Sequence, residues 1–335
     1  MTDPIITVQL TTYNRPVLVQ RAINSLLAQT YPHIRILVCD NGSNDESRSV
    51  VQSLAGRDDR IIYSYYKDNK EGANNVLNEI KKIDTPFFSF LSDDDWLLPN
   101  FFEDALKEFE RHPDCGYVSL ATRIVDLAGH TIRKPAHYQR WAGYYKPPQG
   151  AVMILQGGVV NYTGILFRKE LLKNIGLWNN ICVVNDVVFE LAGALEFPVY
   201  ISSTEGAVFT HHNESLSTIT PLHFVWPCYL ERIAALTKYC DHHPQIKEYI
   251  TSKLFQRLKS RLLWTGIAWL YRREPQTTKR IIQILREQFG YQKPDCWILA
   301  FFYLSYCLQR GITVSMLKGI IESKPQIVAL IDYVG

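Results

Sequence analysis

The sequence predicts an α/β protein: a mostly parallel sheet with helices on both faces, joined to a helical C-terminal region. Three observations predict it. Apolar, β-branched runs alternate with segments of helical spacing through the first third of the chain, as repeated strand–helix–strand units require. Acidic and turn-forming residues collect where the predicted strands end. From about Pro221 onward the strand punctuation stops and helical patterning alone continues.

The elements follow in order. ITVQLTTYN, residues 6–14, reads as a strand closed by the turn signal Asn14-Arg15-Pro16. VLVQRAINSLLAQT then sets Val17, Val19, Ala22, Ile23, Leu26 and Leu27 at helical spacing. IRILVCD (34–40) is a second strand, ended by NGSND, which is turn and N-cap chemistry. SRSVVQSLA reads as a helix, RIIYSYY (60–66) as a strand, GANNVLNEIKKI as a helix and PFFSFL (86–91) as a fourth strand. A helix is predicted over 103–112 and a strand in CGYVSLATRIVD. HYQRWAGYYKPPQG (137–150), aromatic, basic and broken by Gly and Pro, reads as a mobile loop over a cleft. NYTGILFRKELL gives a strand then a helix, VVNDVVFELAGAL a helix, and VYISSTEGAVFTHHN the last strand. The predicted domains are 1–220 and 221–335.

With 335 residues, 47% hydrophobic and 21% charged, the composition is globular and suits one large domain with a smaller one. No stretch reaches the roughly 18–20 apolar residues needed to span a bilayer. The nearest, CWILAFFYLSYCL from Cys296 to Leu308, is short and holds Ser305. MTDPIITVQL carries no basic segment and no signal-like apolar run, so a cytoplasmic protein is expected. Seven cysteines without a C-x-x-C pair argue against a disulfide framework and a cysteine zinc site. The net charge of +3 hides an asymmetry: from Pro221 onward 16 Lys and Arg face 8 Asp and Glu, against 20 and 25 before it. The basic end suits anionic headgroups at the cytoplasmic membrane face or a phosphorylated acceptor; solvated helix faces explain it as well.

FFSFLSDDDWLLPNFF (87–102) sets Asp93, Asp94 and Asp95 against an apolar run. Carboxylates beside a core are costly unless positive charge meets them. Capping of the next helix by Ser92 or Asp95 explains one residue. A divalent cation held by one or two carboxylates and completed by a diphosphate explains the cluster. In parallel α/β sheets ligands bind outside the carboxyl ends of the strands, where Asp40 is also expected.

TTYNRP after the first strand, VCDNGSND after the second and FLSDDDWLLP after the fourth resemble the family 2 inverting glycosyltransferases of the GT-A fold, over about residues 5–217. That family's pattern is a strand ending in Tyr-Asn, then Val-Asp-Asp-Gly-Ser-x-Asp, then Phe-Leu-Asp-Ser-Asp-Asp. Two positions depart from it: Asn41 stands for the second Asp after strand two, and Ser92 for the first Asp of the later motif. A usual basic residue in the helix before strand four is replaced by Asn74 or Asn75. The resemblance implies a Rossmann-like nucleotide-binding sheet and transfer of a sugar from a UDP-sugar to a hydroxyl acceptor, as in polysaccharide or glycoconjugate synthesis.

The resemblance also implies site roles. Thr11, Tyr13, Arg15 and Asn74 would line the nucleotide-sugar pocket, Asp40 would accept from the uracil N–H, and Asp93 would meet the ribose. Asp94, Asp95 and His212 would hold Mn²⁺ or Mg²⁺, with the main carboxylate ligand either Asp94 or Asp95. Asp186, beside Asn185 at a helix start, would be the general base, and Trp178 would wall the acceptor sugar. Each has a plainer reading: turn formation for Asp40, N-capping for Asp186, a core position for Trp178, a polar surface position for His212.

The acceptor implied is a carbohydrate, lipid-linked saccharide or protein; nucleic acid is not among the expected partners. In KLFQRLKSRLLW, Leu254, Leu258 and Leu262 share a face flanked by Lys253, Arg257 and Arg261. Such a helix suits peripheral membrane contact, packing on the catalytic domain, or a homo-oligomer. A nucleotidyltransferase would need a Gly-rich basic segment after strand one, which TTYNRP lacks. A non-catalytic sugar-nucleotide binder would not need Asp40, Asp94 and Asp186 together.

Overall fold

The computed structural model describes residues 5–67, 72–156, 161–175, 185–212, 234, 236–237 and 239–253. The chain divides into two compact units, one of Met1–Ile219 with Arg232–Glu248, the other of Thr220–Glu231 with Tyr249–Gly335. The second unit, including the basic helix expected around Leu258, lies almost wholly outside the described residues. Among the described residues no helix is long and apolar enough to cross a membrane.

The expected alternation forms the first half of the fold. β1 (Ile6–Thr12), α1 (Pro16–Leu27), β2 (Ile34–Asp40), α2 (Ser47–Ala55), β3 (Ile61–Tyr65), α3 (Gly72–Ile80) and β4 (Phe87–Ser92) follow one another. Next come β5 (Trp96–Leu97), α4 (Phe101–Arg111), β6 (Tyr117–Val125) and β7 (Thr131–Arg133). α5 (Tyr138–Trp141), β8 (Gly143–Tyr145), α6 (Gln149–Leu155), β9 (Ile165–Arg168), α7 (Glu170–Asn174), α8 (Asn185–Glu196) and β10 (Val199–Thr210) complete the unit. Pro16 opens α1, where its missing N–H costs nothing. Val19, Ala22, Ile23 and Leu26 form the buried stripe of α1 and pack with Ile6, Val8 and Leu10 of β1.

Among the described residues ten strands make one sheet in the order β3-β2-β1-β4-β9-β6-β10-β5, with β7 on β6 and β8 on β10. β1 is parallel to β2 and β4, and β2 to β3. β6 and β10 are also parallel. β9 runs antiparallel to both β4 and β6, so the expected parallel sheet carries a reversed strand at its centre. Phe88 of β4 stacks on Phe167 of β9 at 5.1 Å, and Phe167 meets Phe189 of α8 edge-on at 5.3 Å. This aromatic block seats α8 on the sheet.

Two expectations need correction. The segment from Trp96 does not enter a helix directly. Trp96 and Leu97 form an antiparallel strand with Val208 and Ala207, and α4 begins only at Phe101, behind Asn100 and without a side-chain capping bond. Neither Ser92 nor Asp95 caps it. Gly206, beside this pairing, lets β10 lie close against Leu120 of β6, because a Cβ there would stand 2.6 Å from Leu120 Cδ2. The segment 137–150 is also more than a loop: α5 leads into β8, which pairs with the start of β10, and Tyr138 is buried.

Candidate active site

Strand register brings the chemistry together. Thr12 pairs with Asp40 across β1 and β2, and Thr11 with Ser92 across β1 and β4. The carboxyl ends of three parallel strands therefore stop at one level, on either side of β1. Chain order reverses there, and such a reversal opens a ligand crevice. The β5–β10 pairing adds the fourth side, carrying Thr210 and His212 across to the aspartates.

The three aspartates have separate surroundings. Asp93 is buried; its Oδ2 accepts from Thr12 Oγ1 at 2.8 Å and its Oδ1 from Arg15 Nη1 at 3.0 Å. Burial pushes its carboxyl up to about 6, with Arg15 opposing the rise and Asp94 reinforcing it. Asp94 Oδ2 accepts from the same Arg15 Nη1 at 3.0 Å and faces His212 Nε2 at 2.9 Å. Asp95 accepts from Thr163 Oγ1 and from the Thr210 amide, the latter at 2.8 Å. Burial, then the Asp94 charge, lifts the Asp95 carboxyl well above the usual range. Both Asp95 oxygens are engaged inside the fold, whereas Asp94 and His212 face one another with Asp93 beside them.

Arg15 starts α1 from a fixed backbone: its amide donates to Ser47 Oγ at 2.9 Å. Asn14 before it has φ +52°, tied to Ser43 and Asn44 by bonds of 2.9 Å each. Burial works against the Arg15 charge, but Asp93 and Asp94 outweigh it and hold the guanidinium above its ordinary value. Arg21, one and a half turns further on, donates to the Asp94 carbonyl at 2.6 Å and to Thr210 Oγ1 at 3.2 Å. Thr210 Oγ1 itself donates to that carbonyl.

On the nucleotide side, Tyr13 is exposed and Thr11 is half-buried, accepting from Gln9 Nε2 at 2.8 Å. Asp40 is fully buried. Its Oδ1 accepts from the Ser43 amide at 2.8 Å and its Oδ2 from Tyr63 hydroxyl at 2.7 Å. As folded it offers no surface to a uracil ring, and its surroundings are those of the turn-former. Asn74 lies on α3 with its side chain outside the described residues; buried Asn75 donates to Asn41 Oδ1 at 3.1 Å.

Asp186 stands in the first turn of α8, its Oδ1 accepting from the Val187 amide at 2.7 Å. Trp178 and the Asn185 side chain lie outside the described residues. One turn beyond Asp186 is Glu190, buried near Tyr138 and Tyr162. Burial, then the Asp186 charge, raises its carboxyl well above the usual range.

Sequence reasoning missed Thr12, Arg21, Tyr63, Thr163, Glu190 and Thr210. Thr12 carried a usable signal, since it ends a strand beside the aspartates. Thr163 and Thr210 carried none, because the turn before β9 and the end of β10 come next to Asp95 only through long-range pairing.

Among the described residues no three His, Cys, Asp or Glu side chains form a cage able to hold a metal unaided. A carboxylate and an imidazole nitrogen converging on one point do fit a divalent cation whose remaining ligands come from a diphosphate and water.

A family model described as Glycosyl transferase family 2 matches residues 7–176. The chain is 41% identical over 96 residues to the GalNAc(5)-diNAcBac-PP-undecaprenol beta-1,3-glucosyltransferase of Campylobacter jejuni, a match covering 28% of this chain and 31% of that protein. It thus spans under a third of that relative. An uncharacterized glycosyltransferase of Rickettsia typhi is 26% identical over 252 residues, 69% of this chain and 73% of that one. Among solved structures, residues 1–349 of S. aureus TarS in complex with UDP align with a TM-score of 0.57 at 15% identity, covering 85% of this chain and 86% of that one. The mannosyltransferase PcManGT of Pyrobaculum calidifontis, in complex with GDP-Man and Mn²⁺, aligns with a TM-score of 0.50 at 15% identity, covering 98% and 88%. These structures share the fold.

Proposed function

The chain belongs to glycosyl transferase family 2, and on that premise we propose that it moves a sugar from a UDP-sugar to an acceptor hydroxyl with inversion, aided by a divalent cation. The observation that carries the reading is the meeting of Asp94 and His212 at 2.9 Å, at the edge where β1, β2 and β4 end. The UDP bound to TarS and the Mn²⁺ bound to PcManGT support the donor class and the cation.

Asp94 and His212 would hold Mn²⁺ or Mg²⁺, which when bound neutralises the departing diphosphate. Asp93, fastened by Thr12, would accept from the ribose hydroxyls, while Thr11 and exposed Tyr13 would flank the base. Asp186 would take the acceptor hydroxyl's proton as that oxygen attacks the anomeric carbon. The bond from that carbon to the diphosphate oxygen breaks in the same displacement, and its electrons leave with the nucleotide. The Campylobacter relative's named substrate supports a lipid-linked saccharide as acceptor. The basic residues beyond Pro221 suit an anionic membrane face, and this region is proposed as the second domain, for membrane, acceptor or self-association.

A thermal-shift screen of nucleotide sugars with Mn²⁺, followed by a transfer assay on the stabilising donor, tests the reading. Full transfer by Asp94→Ala or Asp186→Ala would refute the mechanism. Cation-dependent UDP binding with neither transfer nor donor hydrolysis would make the protein a sugar-nucleotide binder instead.

A further inference from the structure

Among the described residues, the arginine bonded directly to the carboxylates of the acidic turn is Arg15. Its Nη1 stands 3.0 Å from Asp93 Oδ1 and 3.0 Å from Asp94 Oδ2. Asp94 Oδ2 is also the oxygen facing His212 Nε2. One arginine nitrogen therefore sits on the carboxylate oxygen that a divalent cation would need. Two cations cannot occupy that position together, since a cation bound at 2.0–2.6 Å from its oxygen ligands excludes an N–H directed at the same lone pair.

The backbone around Arg15 makes the conflict a side-chain matter. The Ser47 bond to its amide and the Asn14–Ser43–Asn44 ties fix the turn. The Arg15 side chain, by contrast, keeps 24% of its surface exposed. A guanidinium driven off the carboxylates would leave the amide bond to Ser47 that starts α1 in place. Once released, its planar fork matches the paired oxygens of a diphosphate.

We propose that Arg15 is a built-in counter-cation that competes with the divalent cation for Asp94 and passes to the donor's diphosphate when that cation binds. The inference rests on the donor-site reading above. It makes cation and nucleotide binding interdependent: either alone must work against the Arg15–Asp93–Asp94 bridge or forgo the arginine, whereas together the cation takes Arg15's place on Asp94 and the diphosphate receives Arg15. Cation affinity without nucleotide is thereby held low.

The test uses the full chain and two probes, Mn²⁺ alone and UDP with saturating Mn²⁺, read by calorimetry and by loss of the free-Mn²⁺ paramagnetic signal. Arg15→Gln is expected to bind Mn²⁺ alone about tenfold more tightly, as removal of a charge-assisted bond worth about 1.4 kcal/mol implies. The same variant is expected to bind UDP more weakly in saturating Mn²⁺. Arg15→Lys should lie between, neutralising the carboxylates without bridging them. Unchanged or weaker Mn²⁺ binding by Arg15→Gln would overturn the proposal and leave the donor-site reading standing. Failure of the unmodified protein to bind Mn²⁺ even with UDP present would overturn both. A second readout needs no loss of the side chain: Mg²⁺ alone should free the slowly rotating guanidinium of ¹⁵N-arginine-labelled protein, at the resonance absent from Arg15→Lys. No change at that resonance at Mg²⁺ levels that saturate the site would also overturn it.

Discussion

The Arg21 guanidinium carbon lies 4.1 Å from the centre of the Trp96 ring, while its Nη2 donates to the Asp94 carbonyl at 2.6 Å. The arginine therefore holds the backbone of the acidic turn, and the ring at the start of β5 holds the arginine. Burial lowers its pKa, against the pull of Asp95 and Asp94. Arg21→Met, which keeps the apolar stem but not the charge, should lose about 1–2 kcal/mol of stability. A denaturant midpoint equal to that of the parent protein would remove this role.

Asp94 and Asp95 should separate cleanly. Asp94→Asn should lower turnover on the order of 100-fold or more while leaving the melting temperature near that of the parent. Asp95→Asn turns an amide donor towards Thr163 or Thr210 and should cost roughly 1–3 kcal/mol of stability, with Mn²⁺ affinity in the presence of UDP little changed. Paired melting and Mn²⁺ titrations distinguish the two; the reverse pattern would exchange their roles.

Asp186→Asn preserves the start of α8 but removes the proposed proton acceptor. Transfer should fall by about 10²–10⁴-fold, with donor binding unaffected in a direct UDP titration. Loss of UDP affinity instead would assign Asp186 to the donor.

Glu190 supplies a pH signature. A carboxyl whose folded pKa lies above its unfolded value contributes its full stability below the unfolded value, and that contribution fades as pH rises through the folded one. Burial and the Asp186 charge put Glu190 in this class. Glu190→Gln should therefore melt progressively higher than the parent as pH increases from about 5 to 8. A difference that is constant across that range would mean that Glu190 is ionised in the fold.

The first half of the fold was legible because its structure is local. Strand and helix periods alternate, turn residues separate them, and the site falls at strand ends by topology alone. The separation of Asp93, Asp94 and Asp95 was not legible. It depends on Thr12, Thr163 and Thr210 arriving from β1, the turn before β9 and β10, and on a two-residue strand too short to leave a period. The reversal of β9 was hidden for a related reason, since an apolar run carries no direction. The resemblance of TTYNRP put Arg15 in the nucleotide-sugar pocket; its bridge to two carboxylates depends on β1 and β4 ending side by side.

The long reach of β10 bears on how the polypeptide is made. Asp94 and His212 are 118 residues apart, and contacts of such separation form late. A nascent chain leaving the ribosome carries its acidic turn well before His212 and Thr210 can close over it. Arg15, already synthesised and 79 residues from Asp94, is available to shield that charge in the interval.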